Sequence, residues 1–363
     1  MNTSEVEGAL ITELLEALRA LPDVTAGLAC QAGASGRGAA NDVSVSMLVG
    51  GRPLALLVGI RKVLYPRDVR QALWQIRDAA SRRTGDAGAE GTVPLLAAES
   101  ISPGAKDLLK AERVGYFDAG GSLYLPAPGA LFFVDKPPSK SVARAIRSLF
   151  SGRRAHVLHG LLMRREDWLG VTELAEDVSV SPSTVSMVLT ELERRDWLDS
   201  RGQGPGKQRR VSQPSALLDA WAASLRQQPA EAMRRFFVPS MKVDALVAGL
   251  DGVCSSHEID YAVTHEAAAQ RYAPFLSNVS QVRIRMRAGS ATEAALGELG
   301  ARPVSEGANL VVIDAKSPVD LLFKQRVDGV WLANPIQTYL DLVRTEGRTK
   351  ELAEHLRLTR IGI

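Results

Sequence analysis

Lysine and arginine side chains that could neutralise phosphate are concentrated near the middle of the chain. Residues 136 to 165 contain eight of them and no acidic residue: Lys136, Lys140, Arg144, Arg147, Arg153, Arg154, Arg164 and Arg165. A second acid-free stretch, residues 200 to 218, contains Arg201, Lys207, Arg209 and Arg210. The whole chain of 363 residues carries a formal net charge of only +3, so its remainder is net acidic. Clustered positive charge indicates a surface for a nucleic-acid backbone, because neutralising phosphates releases their counterions.

The hydrophobic spacing between these stretches predicts a winged helix that would position the basic side chains. A first helix, about Arg154–Arg165, has apolar residues on one side, and a short second helix begins at Val171. Pro182 suits the first turn of a third helix that extends to about Asp196. Two short strand signals around the glycine- and proline-rich segment 202–206 predict a hairpin, which would be the wing.

The outward side of the third helix carries small polar residues that could reach base edges in a major groove, as in helix-turn-helix proteins. Met187 could pack on a thymine methyl or against another domain. The predicted DNA-contacting residues are Arg153, Arg154, Ser181, Ser183, Thr184, Ser186, Met187, Thr190, Arg194, Arg201, Lys207, Gln208, Arg209 and Arg210. The alternative is a winged helix that contacts protein instead of DNA.

Other chemistry is poorly supported by the residue pattern. The glycines before Lys207 lack the spacing and the following Ser or Thr of a Walker A phosphate loop. His156 and His159 have a spacing that can share a metal, but no third ligand is evident nearby. No Ser/His/Asp triad can be nominated. We therefore predict no catalytic residue, no metal site and no cofactor.

The order of elements in residues 1–135 resembles the core of restriction endonucleases. Such nucleases hold a divalent cation with an Asp on one strand and an (Asp/Glu)-x-Lys on the next. Asp42 matches the first carboxylate, but Gly59 and Arg61 stand where the second acid and the Lys would be. The resemblance implies a degenerate nuclease core. A metal-dependent nuclease that uses Asp42 with another acid, for example Glu99, is the alternative function.

Residues 229–363 are similar to a minimal nucleotidyltransferase fold. Catalysis there needs an Asp-x-Asp on a strand, whereas this chain has Arg283-Ile-Arg285, so the resemblance implies an inactive domain. Arg283, Arg285 and Arg287 alternate with apolar residues in the predicted strand 279–286 and just after it. They would form either a second phosphate-contacting surface or the solvated face of an edge strand, and we favour the solvated face. Ala230–Phe237 and Tyr261–Tyr272 are predicted to be helices.

Taken together, a degenerate nuclease-like domain containing Val114–Leu125, a central winged helix, and a C-terminal region containing Tyr261–Gln270 resemble regulators related to the AbiEi antitoxin of type IV toxin–antitoxin systems. The resemblance implies a DNA-binding regulator that represses its own operon and has a cognate toxin as partner. Neither a toxin nor an operator is visible in the sequence. The sequence also leaves open whether the protein forms a homodimer.

These observations predict an α/β plus α+β multidomain protein with domains at 1–135, 136–228 and 229–363. The expected function is that of a non-catalytic, sequence-specific, double-stranded DNA-binding transcriptional regulator. No apolar run reaches 18 residues, and the acidic N-terminus does not resemble a signal peptide. The two cysteines, Cys30 and Cys254, lack a metal-like spacing and suggest a reducing cytoplasm without disulfides.

Overall fold

The computed structural model describes residues 3–29, 42–84, 92–137, 148–239, 242–276, 278–316, 318–345, 347 and 349–363. The chain forms two compact units. The first contains Met1–Ala145 with Glu191–Asp196, and the second contains Ile146–Thr190 with Trp197–Ile363. Both are mixtures of helix and sheet, as the predicted class requires. The winged-helix segment and the C-terminal region fall in the same unit, and the finer division into three domains stays a prediction.

The first unit is built on a seven-stranded sheet in the order β1 to β7. Its helices are α1 (Thr3–Arg19), α2 (Pro66–Thr84) and α3 (Pro103–Ala111). The strands are β1 (Val24–Leu28), β2 (Asp42–Val49), β3 (Arg52–Leu64), β4 (Val93–Ile101), β5 (Gly115–Asp118), β6 (Leu123–Ala127) and β7 (Ala130–Val134). β3, β4 and β5 are parallel to one another, whereas the outer strands pair antiparallel. The sequence did not predict β1 and β7, the two edge strands.

The central strands of this sheet are buried on both faces, which explains their continuous apolar runs. Along β3, Val58 belongs to the core on the α1 side, where Leu14 and Leu18 pack. Its neighbour Leu57 belongs to the opposite core, formed with α2 and α3. Successive strand residues point to opposite faces, so a single run of apolar residues serves both layers.

The second unit begins with three helices and a hairpin, in the segment that the sequence predicts to be a winged helix and that keeps this name below. Its helices are α4 (Arg153–Met163), α5 (Val171–Asp177) and α6 (Pro182–Arg194), followed by the hairpin strands β8 (Leu198–Arg201) and β9 (Gln208–Val211). The last turn of α6 and the two residues after it cluster with the first unit. Helix α7 (Pro214–Arg226) leads into the C-terminal region. The bounds of the three helices agree with the predicted bounds to within a few residues, whereas their grouping as a winged-helix domain stays a prediction.

The C-terminal region contains a second seven-stranded sheet, in the order β13-β10-β14-β12-β11-β16-β15. Its strands are β10 (Met233–Phe237), β11 (Tyr261–Thr264), β12 (Val282–Arg287), β13 (Arg302–Pro303), β14 (Leu310–Ala315), β15 (Gln325–Val327) and β16 (Val330–Leu332). Its helices are α8 (Val243–Ser256), α9 (His265–Tyr272), α10 (Ser290–Glu298), α11 (Pro335–Leu342) and α12 (Thr349–Leu356).

Two helix predictions were wrong in this region. Met233–Phe237 is strand β10, which pairs antiparallel with β14, so the predicted helix Ala230–Phe237 does not form. Tyr261–Thr264 is strand β11, and helix α9 begins only at His265, a residue with a φ of 55°. In both segments, pairing with distant strands outweighs the local helix preference, which a single-sequence pattern does not reveal.

Candidate nucleic-acid interface

The three helices of the winged helix pack through the apolar residues that the sequence predicted. Val157 and Leu161 of α4, Leu174 of α5, and Val185 and Leu189 of α6 are all buried. Gly160 allows α4 and α5 to approach closely. A Cβ atom at this position would lie 2.6 Å from Cγ1 of Val178 and 2.9 Å from Cδ1 of Leu174. The packing therefore fixes which side of α6 faces outward.

The outward side of α6 is accessible. Ser183, Thr190 and Arg194 are exposed, and Met187 is 51% exposed. Ser186 and Thr184 lie at the flank and are half-buried. Arg154, near the start of α4, donates from Nη2 to the Met187 sulfur at 3.3 Å and from Nη1 to the Ser148 hydroxyl at 2.9 Å. These contacts bring Arg154 beside the predicted reading face, while Arg153 is exposed next to it.

The hydroxyl groups at the start of α6 also have local roles. The Ser181 hydroxyl accepts from the Thr184 backbone N–H at 3.4 Å, as a helix-capping side chain does. It also contacts the hydroxyls of Ser183 and Thr184 at 3.2 and 3.0 Å. Thr190 donates its hydroxyl to the carbonyl of Ser186 at 2.8 Å. A hydroxyl that has donated its proton keeps its acceptor lone pairs, so Thr190 and Ser183 can still accept from a base edge.

The wing is a sheet of three short segments. Besides β8 and β9, Leu169 forms an antiparallel bridge with Arg209 through backbone hydrogen bonds of 2.8 and 2.9 Å. This bridge places Trp168 beside the hairpin. The guanidinium carbons of Arg201 and Arg210 lie 4.5 and 4.9 Å from the centre of the Trp168 ring, as in cation–π contacts.

Gln208 completes this arrangement, since its side-chain oxygen accepts two hydrogen bonds from Arg201, at 3.0 and 2.8 Å. Its amide nitrogen donates to the Trp168 carbonyl at 3.3 Å. Arg210 also pairs with Asp199 at 3.6 Å. Two guanidinium groups are therefore held in place at the wing before any ligand arrives. The sequence did not indicate Trp168 as a wing residue, because the bridge that places it there joins Leu169 to Arg209, 40 positions further along the chain.

The prediction that Arg209 contacts DNA is not supported by its position in the structure. It is only 7% exposed, because side chains alternate along β9 and Arg209 points inward together with Val211. Its Nη1 approaches the Lys207 carbonyl at 3.4 Å. Arg209 is thus not presented to a phosphate in this structure, and the accessible cations of the wing are Arg201, Arg210 and the half-buried Lys207.

The basic stretch 136–165 contains no acidic residue, but acidic residues that follow it in the chain contact its last two arginines. Arg164 forms ion pairs with Asp167, Glu173 and Asp177 at 2.9, 2.6 and 2.5 Å. Arg165 contacts Glu166 at 3.5 Å and the Ile361 carbonyl at 2.9 Å. These two charges therefore do not contribute to a phosphate-binding surface. Lys140, Arg144 and Arg147 lie outside the described residues.

The structure shows the surroundings of the two positions on which the nuclease alternative depends, Asp42 and Gly59. Asp42 pairs with Gly59 across β2 and β3, as the motif requires. A Cβ at Gly59 would lie 2.9 Å from Ile76 and 3.1 Å from Leu96, so an acidic side chain there would be crowded by the core. Within the described ranges, no three His, Cys, Asp or Glu residues are grouped so as to hold a metal ion. Cys254 is a free, buried thiol, and Cys30 lies outside the described residues.

The arginines of β12 do not form a solvated edge face, so that expectation was wrong. β12 lies between β14 and β11, inside the sheet. Arg283 approaches Glu266 at 3.6 Å, and Arg285 is buried, leaving only Arg287 exposed. The guanidinium of Arg285 contacts Asp341 at 2.6 Å and Glu231 at 2.7 Å. Burial alone would raise the pKa of Asp341, but Arg285 outweighs it and the pKa is lowered to about 2.

Comparison of the chain with protein-family models, with curated proteins and with solved structures found no match. The part of the chain that the structure describes also contains no helix with the length and apolar character needed to cross a bilayer.

Proposed function

We propose that the chain is a sequence-specific, double-stranded DNA-binding transcriptional regulator that performs no catalysis of its own. The observation that carries this proposal is the two-sided character of α6. Its inner residues are buried, whereas Ser183, Met187 and Thr190 are exposed, and the hairpin that follows α6 carries Arg201 and Arg210. A helix with small polar residues on its open side is what major-groove recognition requires.

In this proposal, α6 enters the major groove and the wing contacts the backbone. Met187 contacts a thymine methyl, and the hydroxyls of Ser183 and Thr190 contact polar base edges. Arg201 and Arg210 contact phosphates or a minor groove, and Arg153 and Arg154 contact the backbone near the start of α4. Ser181 supports the reading face indirectly through its cap on α6.

The contribution of the wing is tested by salt dependence. Arg201→Ala is expected to weaken binding to all duplexes alike, because it removes a phosphate contact. The slope of log K against log salt should become shallower by about 0.9. Arg302→Ala is the matched control, since it removes the same charge from an exposed position on β13. Equal slopes for Arg201→Ala and the unaltered protein would contradict the proposed wing contact.

The reading role of α6 is tested by specificity. Thr190→Ala and Met187→Ala should each bring the affinities for a selected duplex and a random duplex closer together. The difference between the two binding free energies should shrink by about 1–3 kcal/mol for every base that the variant no longer reads. Thr172→Ala serves as control, because Thr172 is also exposed but lies on α5. If both duplexes lose affinity equally in the α6 variants, these residues do not read bases.

A narrower proposal follows from the resemblance to AbiEi-related antitoxins, namely repression of the protein's own operon together with a partner toxin. The duplex upstream of the protein's own coding sequence should then compete for binding at least tenfold better than a scrambled duplex of equal length. Equal competition would remove autorepression and leave the broader regulator proposal in place.

A further inference from the structure

An open cavity of about 440 Å³, called the β3 groove below, lies in the first unit. Residues 61–65, at the end of β3, line it together with residues from the first half of α2 and with Arg194, the last residue of α6. β3 is parallel to β4. In open α/β sheets, ligands bind beyond the carboxyl ends of such strands, so the position of the β3 groove suits a binding site.

The lining of the β3 groove carries more positive than negative charge. Its cations are Arg61, Lys62 and Arg194, and its carboxylate is Asp68. Lys62 and Arg194 are exposed, and Arg61 is half-buried. A net positive groove at a protein surface attracts anions.

The charge of these cations is not neutralised within the part of the chain that the structure describes. None of the described residues forms an ion pair with any of the three. Arg61 donates to two uncharged acceptors, the Ile60 carbonyl at 2.7 Å and the Gln75 side-chain oxygen at 2.8 Å. Asp68 accepts from the backbone N–H of Tyr65 at 3.2 Å, near the start of α2.

Other arginines of the first unit already have acidic partners. On α2, Arg70 pairs with Asp196 at 2.8 Å, and Arg77 pairs with Glu112 at 2.9 Å. The β3 groove therefore differs from the rest of this basic helix, because its cations still lack a negative partner.

The end of α6 is held at the β3 groove by contacts of Tyr65. The Tyr65 hydroxyl donates to Oε1 of Glu191 at 3.1 Å, and Nη2 of Arg195 donates to the same oxygen at 2.7 Å. The guanidinium carbon of Arg195 lies 5.3 Å from the centre of the Tyr65 ring, as in a cation–π contact. Because Glu191 and Arg195 flank Arg194 in the chain, these contacts keep Arg194 in the lining.

We propose that the β3 groove binds a phosphate group of the duplex backbone, so that the first unit shares in DNA binding. Lys62 and Arg194 contact the phosphate oxygens, and Arg61 adds positive charge beside them. Gln71, which is exposed in the lining, donates its amide N–H to the same group. The inference rests on the proposed function and deepens it, because it adds a backbone contact outside the winged helix.

Arg194 is the residue that favours a duplex over a small free anion. It follows Thr190 by about one helical turn, on the outward side of α6. A duplex that lies along this side therefore brings backbone phosphates to Arg194 and to the β3 groove. Binding of a free anion is the other outcome of the test.

The salt dependence of binding to a random duplex tests the inference with the full chain. Lys62→Gln should weaken binding and make the slope of log K against log salt shallower by about 0.9, because one phosphate contact is lost. Arg52→Gln is the matched control, since it removes one charge from the exposed start of the same strand, outside the lining. Its slope should equal that of the unaltered protein. Equal slopes for Lys62→Gln and Arg52→Gln would overturn the inference.

A second variant leaves every cation of the β3 groove in place. Gln71→Glu adds a carboxylate to the lining and should weaken binding to the random duplex by about threefold relative to Gln227→Glu. Gln227 is exposed just after α7 and lies outside the lining, so the control carries the same added charge elsewhere. Equal affinities of these two variants would also contradict the phosphate contact.

Isothermal titration with inorganic phosphate separates a free anion from the duplex backbone. A Kd below about 1 mM that is lost in Lys62→Gln, together with unchanged duplex slopes, would assign the β3 groove to a small anion and overturn the inference.

The random duplex also separates this inference from the proposed function, because its binding does not depend on base reading. Equal slopes in a protein that still selects one sequence motif would remove the β3 groove contact and leave the regulator proposal. A shallower slope for Lys62→Gln in a protein that selects no motif would support the groove and contradict sequence-specific regulation. Absence of duplex binding would remove both.

Discussion

At the scale of single residues, the buried Arg285 shows how one charge organises the C-terminal region. Its guanidinium contacts Asp341 on α11, whose carboxylate also accepts from Thr264 and, at 2.6 Å, from Gln337. The network joins β12, β11 and α11 inside the fold. A buried ion pair adds little net stability, but removing one partner leaves the other charge uncompensated.

We therefore expect Arg285→Met to lower the free energy of unfolding by about 3–5 kcal/mol, because Asp341 would remain buried without its cation. The double variant Arg285→Met with Asp341→Leu should recover most of this loss. Urea unfolding of the single and double variants provides the double-mutant cycle. A double variant as unstable as Arg285→Met alone would show that packing around Arg285, not the unpaired carboxylate, determines the loss.

The sequence could predict the apolar core residues and the outward residues of α6, because each depends on local periodicity. It could not predict the surroundings of Arg285 or Arg209. Alternation of charged and apolar residues along a strand looks the same for a solvated face and for a buried ion pair. The difference is made by Asp341 and Glu231, each more than 50 residues away from Arg285 in the chain.

At the scale of elements, the winged helix depends on the close approach of α4 and α5 at Gly160. The sequence predicted these helices because their apolar stripes are regular and their ends have turn residues. It did not predict β10 and β11, whose backbones pair with strands that are distant in the chain: β10 with β13 and β14, and β11 with β12 and β16. Edge strands β1 and β7 were missed for a different reason: few of their residues are buried, so their apolar pattern is weak.

Gly160→Ala is expected to destabilise the winged helix by about 1–2 kcal/mol. The added methyl group overlaps the stiff side chain of Val178, which outweighs the gain in helix propensity. Gly8→Ala, in helix α1 with no atom within 4 Å of its added Cβ, is the matched control and should not be destabilised. Urea unfolding measures both variants, and a Gly160→Ala protein as stable as the unaltered one would contradict the packing argument.

At the scale of the whole molecule, stability is expected to depend on two buried histidines of the second unit. Burial lowers the pKa of both His159 and His265 to about 3. In the unfolded chain a histidine titrates near 6.5, so between these values the unfolded state binds protons that the native state does not. The stabilisation is complete above about pH 6.5 and is lost as the pH falls.

The free energy of unfolding should therefore fall by about 2 kcal/mol for each of the two histidines between pH 7 and pH 5. His159→Gln should remove one of these contributions, which urea unfolding at the two pH values measures. Ser224→Ala, a buried change on α7 that removes no titrating group, should keep the full pH dependence. If His159→Gln is as sensitive to pH as the unaltered protein, His159 is not buried in its neutral form.

Function at this scale rests on the claim that the open side of α6 reads base sequence while the wing holds the backbone. Selection of bound fragments from a random duplex library, followed by sequencing, tests this claim most directly. The account predicts that the unaltered protein enriches one defined motif, and that a Ser183→Ala, Met187→Ala, Thr190→Ala triple variant keeps duplex binding but loses the enrichment. A library that stays random with the unaltered protein, or the same motif selected by the triple variant, would contradict it.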